Sequence, residues 1–220
     1  MLRYRCLVLD HDDTVVKSTP EIGYPSFVQT LSVLRPGTTM TYEQFLTGCF
    51  HPGFHALCQD VLGYNDEEME YEFTQWQAYV MAHTPSLWEG MERIIRRQKA
   101  EGGLVCVASH SCTQNITRDY LAHVGVAPDL IFGWELEPDQ RKPHPYPLRT
   151  VMERYSLRPE ELLMVDDLKP GLDMARSCGV PFACAGWSCP LPEIQGYMRR
   201  EADFYLSSVD ELETLAFAGE

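Results

Sequence analysis

Cys6-Leu7-Val8-Leu9-Asp10-His11-Asp12-Asp13-Thr14 decides how the rest of the chain is read. Leu7, Val8 and Leu9 form a short unbroken apolar run, the pattern of a central parallel strand buried on both faces. In open α/β sheets such a strand delivers its last residue into the crevice at its carboxyl end, where ligands bind. Asp10 and Asp12 therefore belong at the mouth of a site. Clustered carboxylates repel one another unless they share a proton or a cation. Taken alone, the stretch also reads as an acidic turn capping the next element, since Asp and Thr are common there.

Working outward, the chain separates into two patterns. From Pro25 to about Trp88 every periodicity is helical: Phe27, Leu31 and Leu34 mark one helix, Thr41-Tyr42-Glu43-Gln44 has the form of a capping box, and Phe54 to Leu62 reads as a third helix. Asn65-Asp66-Glu67-Glu68 opens a long fourth helix, with acids where they suit the dipole. From Glu89 onward buried-strand runs alternate with helices. Leu104–Ala108, Asp129–Phe132, Leu162–Val165, Pro181–Ala185 and Asp203–Leu206 are the strand candidates, the last at an edge. Such alternation means right-handed βαβ units and a parallel sheet. The expected fold is α/β, a Rossmann-like parallel core built from residues 1–17 and 88–220. An all-helical domain, residues 18–87, is inserted after the first strand.

A formal net charge of −14 over 220 residues argues against a nucleic-acid footprint and against an anionic membrane surface. An anionic substrate would need placed cations against that background. No apolar stretch approaches the ~20 residues of a membrane span, and Met1-Leu2-Arg3-Tyr4-Arg5 leads straight into the first strand, so a cytoplasmic location is expected. The eight cysteines are scattered, several in strand-like runs, with no Cys-x-x-Cys pair; reduced thiols are expected. Oligomeric state has no handle here.

Three further strand ends and loops carry chemistry-bearing residues. Ser109 follows Val105-Cys106-Val107-Ala108, Lys142 lies in Arg141-Lys142-Pro143-His144-Pro145, and Asp166-Asp167 follows Leu162-Leu163-Met164-Val165. Singly, Ser109 reads as a helix cap, Lys142 as a loop cation and the acidic pair as a turn; their coincidence at strand ends points to a site. In this order and spacing the four motifs resemble those of the haloacid dehalogenase superfamily, along the whole length of the core. The helical insertion is similar to that superfamily's C1-type cap, as in the phosphoglycolate phosphatase and β-phosphoglucomutase branch.

The resemblance implies a Mg²⁺-dependent phosphatase acting on a small phosphorylated metabolite through an aspartyl-phosphate. It makes Asp10 the nucleophile and Asp12 the general acid and base. Ser109 and Lys142 would hold the phosphoryl oxygens. Asp10, the Asp12 backbone carbonyl, Asp166 and Asp167 would surround the metal. Asp12 disfavours a dehalogenase, which lacks a second aspartate there. A related phosphomutase carries a hinge histidine about a dozen residues after the nucleophile, where this chain has Ile22-Gly23. A non-catalytic protein retaining the fold is the third reading. Asp13 stands where Gly is frequent, and His11 where an apolar or aromatic residue is usual. Lys17 and Arg35 are cations that could meet a substrate anion or simply be solvated. Cys112, near a helix start, is read as a spectator, and Pro52-Gly53 argues against His51 and His55 as a metal pair.

Overall fold

The computed structural model describes residues 1–217. Its sheet grows from β1 (Cys6–Leu9), which lies between β2 (Leu104–Ala108) and β4 (Leu162–Asp166). β3 (Leu130–Phe132) closes one side, and β5 (Phe182–Ala185) and β6 (Phe204–Leu206) the other, giving the parallel order β3-β2-β1-β4-β5-β6. Cys6 faces Leu104 and Leu162, and Leu9 faces Val107 and Val165, so three strands end level with one another. Because side chains alternate along a strand, Leu7, Leu9, Val105, Val107, Leu163 and Val165 share one apolar layer. Cys6, Val8, Cys106, Ala108, Leu162 and Met164 share the other. That two-sided burial is why Leu7 to Leu9 show no polar alternation.

The chain divides into two compact units, Met1–Lys17 with Ser86–Glu220, and Ser18–Pro85. The second contains α1 (Tyr24–Leu34), α2 (Tyr42–Gly48), the single turn α3 (Phe54–Ala56) and α4 (Asp66–Ala82), with no strand among its residues. Both sequence-read helix starts are capping boxes: Thr41 with Gln44, and Asn65 with Glu68. The helix expected over Phe54–Leu62 is present, an α-turn that runs on into a wider turn, Leu57–Val61. His51 is extended (φ −150°, ψ 120°), so His51 and His55 do not share a helix face. Phe27, Leu31, Phe45, Leu57, Cys58 and Tyr64 form this unit's core, with the Phe27 and Phe45 rings 4.7 Å apart. Arg35 is consumed internally: its guanidinium grips both Glu68 oxygens at 2.7 and 2.9 Å and donates to the Leu34, Leu62 and Gly63 carbonyls. It is a bracket for the helix ends, neither a substrate-facing nor a merely solvated cation.

In the first unit, α5 (Met91–Ala100), α6 (Thr113–His123) and α10 (Val209–Ala216) pack Ile94, Ile95, Ile116, Tyr120 and Leu212 on the Leu7/Leu9 layer. α7 (Tyr146–Tyr155), α8 (Lys169–Cys178) and α9 (Pro192–Glu201) cover the opposite one with Leu148, Val151, Leu172, Met174 and Met198. α9 has no counterpart in the sequence reading, because only Ile194 and Met198 of its length are fully buried. A parallel β5–β6 pair nonetheless needs such a crossover. Among the described residues no helix is long and apolar enough to cross a membrane.

Candidate active site

The level strand ends bring the sequence-read residues to one edge of the sheet. Asp10 follows β1, its N–H donating to the Val165 carbonyl of β4 at 2.8 Å. Ser109 follows β2 and is tied by its N–H to the Phe132 carbonyl of β3 at 2.9 Å. Asp166 is the last residue of β4, and Asp167 follows it. Lys142 enters from the loop before α7. Its ammonium lies 2.9 Å from Asp10 Oδ1 and donates a 2.6 Å hydrogen bond to Asp166 Oδ2. Asp10 Oδ1 is held by charge and not by an aligned hydrogen bond. All five of these residues are buried, Asp166 completely.

Oxygens of Asp10, Asp166 and Asp167 lie within 4.8 Å of one another. Burial, with Asp10 adding repulsion, pushes Asp166 up to about 7 although Lys142 opposes the rise. Burial and then Asp166, Asp13 and Asp10 hold Asp167 well above the usual carboxylate range. Lys142 is pulled down by burial but raised further by Asp10 and Asp166, and stays charged. One ammonium thus partly neutralises three clustered carboxylates. An all-carboxylate donor set suits a hard divalent ion such as Mg²⁺, which would supply the missing positive charge. The residues present therefore fit that ion.

The Asp12 carboxylate stands outside this cluster and accepts a 2.5 Å hydrogen bond from the Ser111 hydroxyl. Ser109 Oγ accepts from the Ser111 N–H at 3.3 Å, which leaves its own proton available to an anion. His110 Nε2 donates to the Lys142 carbonyl at 3.0 Å, so the Ser109 loop and the Lys142 loop are joined directly. Nothing in the sequence pattern reveals these ties: the partners of His110 and Ser111 are about 30 to 100 positions away, where no local pattern reaches. Asp13 adopts φ 56°, the left-handed region in which Gly, Asn and Asp are tolerated. That backbone requirement accounts for Gly or Asp at this position without any chemical role. Lys17 lies over the Trp88 ring at 5.2 Å. The Cys112 thiol is raised by burial and by Glu135 and Asp12, the reverse of an activated thiolate.

The family model of haloacid dehalogenase-like hydrolases matches residues 7–185, which span every residue described above. The chain belongs to that family. It is therefore a hydrolase with an α/β Rossmann-like core, and the curated relatives it matches carry phosphatase names. The pyrophosphatase PpaX of Bacillus cereus (strain B4264) is 23% identical over 220 residues, covering 96% of this chain and 95% of that protein. The phosphoglycolate phosphatase of Nitrosococcus oceani is 22% identical over 189 residues, covering 82% and 83% respectively. In fold, the chain matches the crystal structure of a predicted phosphoglycolate phosphatase from Haemophilus somnus 129pt with a TM-score of 0.79. That match spans 98% of this chain and 99% of the other at 18% identity.

Proposed function

We propose that this hydrolase is a Mg²⁺-dependent phosphatase that cleaves a small phosphorylated metabolite through a phosphoryl group carried on Asp10. The observation that carries this reading is the Lys142 ammonium set between Asp10 and Asp166, with Asp167 beside them. A carboxylate can attack a phosphate dianion only where the repulsion between them is offset. Lys142 begins to do so, and Ser109 offers a hydroxyl donor. Asp10, Asp166, Asp167 and the Asp12 carbonyl are the groups that would hold Mg²⁺. When bound, the ion supplies charge neutralisation for the transferring phosphoryl group.

In this mechanism the Asp10 carboxylate attacks phosphorus and the ester oxygen leaves, taking a proton from Asp12. Asp12 then removes a proton from water, whose oxygen attacks the same phosphorus. The Asp10–phosphoryl bond breaks, and inorganic phosphate is released with the carboxylate restored. Ser109 and Lys142 hold the non-bridging oxygens in both steps. The helical unit Ser18–Pro85 takes the part of the C1-type cap in this reading, and substrate choice is assigned to it. Ile22-Gly23, where a mutase's hinge histidine would stand, favours release of phosphate over its transfer. Free cysteines throughout the chain support a reducing, cytoplasmic setting.

The names of the two relatives point to small phosphorylated anions, so pyrophosphate and phosphoglycolate head the panel of candidate substrates. Incubation with a generic aryl phosphate and with a metabolite-phosphate panel in Mg²⁺ should release inorganic phosphate, and chelation should stop it. Absence of release from every compound would overturn the phosphatase reading. Interconversion of sugar phosphates faster than phosphate release would move the assignment to a phosphomutase.

A further inference from the structure

We propose that His11 and Asp119 form a positioning pair that sets the turn carrying Asp10 and Asp12; the inference rests on the phosphatase reading above. His11 stands between the two aspartates, yet its ring is almost completely buried. Its Nε2 lies 3.1 Å from Asp119 Oδ2 on α6, and both side chains are within 2% of full burial. A carboxylate only accepts, so Nε2 carries the proton. Asp119 Oδ1 is occupied in turn by Arg118 Nε at 2.7 Å. The other ring nitrogen, Nδ1, has no protein hydrogen-bond partner, and the ring stacks against Tyr120 with centroids 6.0 Å apart. Asp119 is therefore the group that fixes the ring's direction.

The same residue also closes the turn through its backbone. The His11 carbonyl accepts the N–H groups of Val15 and Val16 at 3.0 and 3.1 Å. Asp12, next in sequence, is tied to Ser111, two residues before the start of α6. Both His11 and Asp12 are thus referenced to one rigid segment, Ser111 to Tyr120. Rotation of the turn about the strand axis would have to break both ties at once.

Stability alone does not explain such a pair. Burying an imidazole and a carboxylate gains little over an apolar pair of similar volume, and replacing buried polar pairs by packed apolar residues is often neutral or stabilising. What an apolar pair lacks is direction. Neither His11 nor Asp119 touches the reacting atoms in this proposal; they act through the orientation of Asp10 and Asp12.

The test compares the wild-type protein with His11→Phe, His11→Gln, Asp119→Leu and the double variant His11→Phe/Asp119→Leu, by aryl phosphate kinetics in saturating Mg²⁺ and by thermal melting. The double variant should melt at or above wild type. Its kcat should nevertheless fall about 10- to 100-fold with KM nearly unchanged, the effect of misplacing a reacting group by about an ångström. His11→Gln, which keeps an N–H for Asp119, should recover much of the kcat that His11→Phe loses. A folded double variant with the kcat of wild type would overturn the pair. So would equal loss in His11→Gln and His11→Phe, which also decides the matter if the double variant fails to fold. A wild type without turnover overturns the phosphatase reading itself and the pair's role with it; an active wild type beside an equally active double variant overturns the pair alone.

Discussion

Gly171, in the first turn of α8, sets two physical rules against each other. An alanine in a helix is favoured over glycine by about 1 kcal/mol, so helix propensity alone expects Gly171→Ala to stabilise the protein. The local geometry expects the reverse. A Cβ built at Gly171 falls 2.5 Å from the Asp166 Cβ and closer still to its carboxylate, where ordinary contact begins at 3.4 Å. Asp166 would have to move by about 1 Å, and it has nowhere cheap to go. Its Oδ1 accepts from the Leu168 N–H at 2.8 Å and its Oδ2 from Lys142 at 2.6 Å. Overpacking of this kind costs about 1–3 kcal/mol, more than the propensity gain. A displacement of about 1 Å at a group in contact with the reacting centre lowers turnover about 100-fold. Urea denaturation and aryl phosphate kinetics, with Mg²⁺ varied, read both effects. A Gly171→Ala protein that is more stable than wild type and equally active would show that Asp166 has no fixed place to lose.

Glu72, buried on α4, is pushed up to about 7 by burial, from an ordinary value of 4.5. The folded value lies above the unfolded one, so its favourable contribution is complete below about pH 4.5 and is lost as pH rises through about 7. The full shift corresponds to about 3 kcal/mol, reduced to about 1–2 kcal/mol where solvent screens part of it. Glu72→Gln should therefore match wild type in denaturation at pH 4.5 and exceed it by that amount at pH 8; equal differences at the two pH values would contradict the assignment. Cys58 and Tyr64, both pushed up to about 12 chiefly by burial, stay neutral across that range. At Asp13, the positive φ means that Asp13→Gly should keep activity and stability, whereas Asp13→Ala should lose about 1 kcal/mol in the same denaturation assay. Loss of turnover in Asp13→Gly would give Asp13 a chemical role.

The fold was legible because its main signals are local. Leu7 to Leu9 and Leu162 to Val165 are apolar on both faces, and the helix starts at Thr41 and Asn65 lie where the periodicity and cap residues put them. α9 escaped because a helix with two fully buried residues presents almost no apolar stripe. Phe54–Leu62 reads as one helix and the chain is helical there, but Leu57–Val61 winds more widely than an α-helix, which apolar spacing alone does not reveal. At the candidate site, the strand-end acids, Ser109 and Lys142 announce themselves by residue type. The ties that orient them do not. His11 to Asp119 spans 108 positions and Ser111 to Asp12 spans 99, and each is an ordinary polar residue until the chain has folded. Arg35 shows the converse case, a cation whose partner, Glu68, lies 33 positions away and could not be seen.

Of all the roles assigned here, the one on which the rest depend is that Asp10 carries the phosphoryl group. Rapid quench of the protein with a turned-over phosphate ester and Mg²⁺, followed by peptide mass spectrometry, tests it directly. The peptide containing Asp10 should gain the mass of one phosphoryl group, and Asp10→Asn should show neither that gain nor turnover while melting near the wild-type temperature. A phosphoryl group found on another residue, or steady turnover by Asp10→Asn, would contradict it.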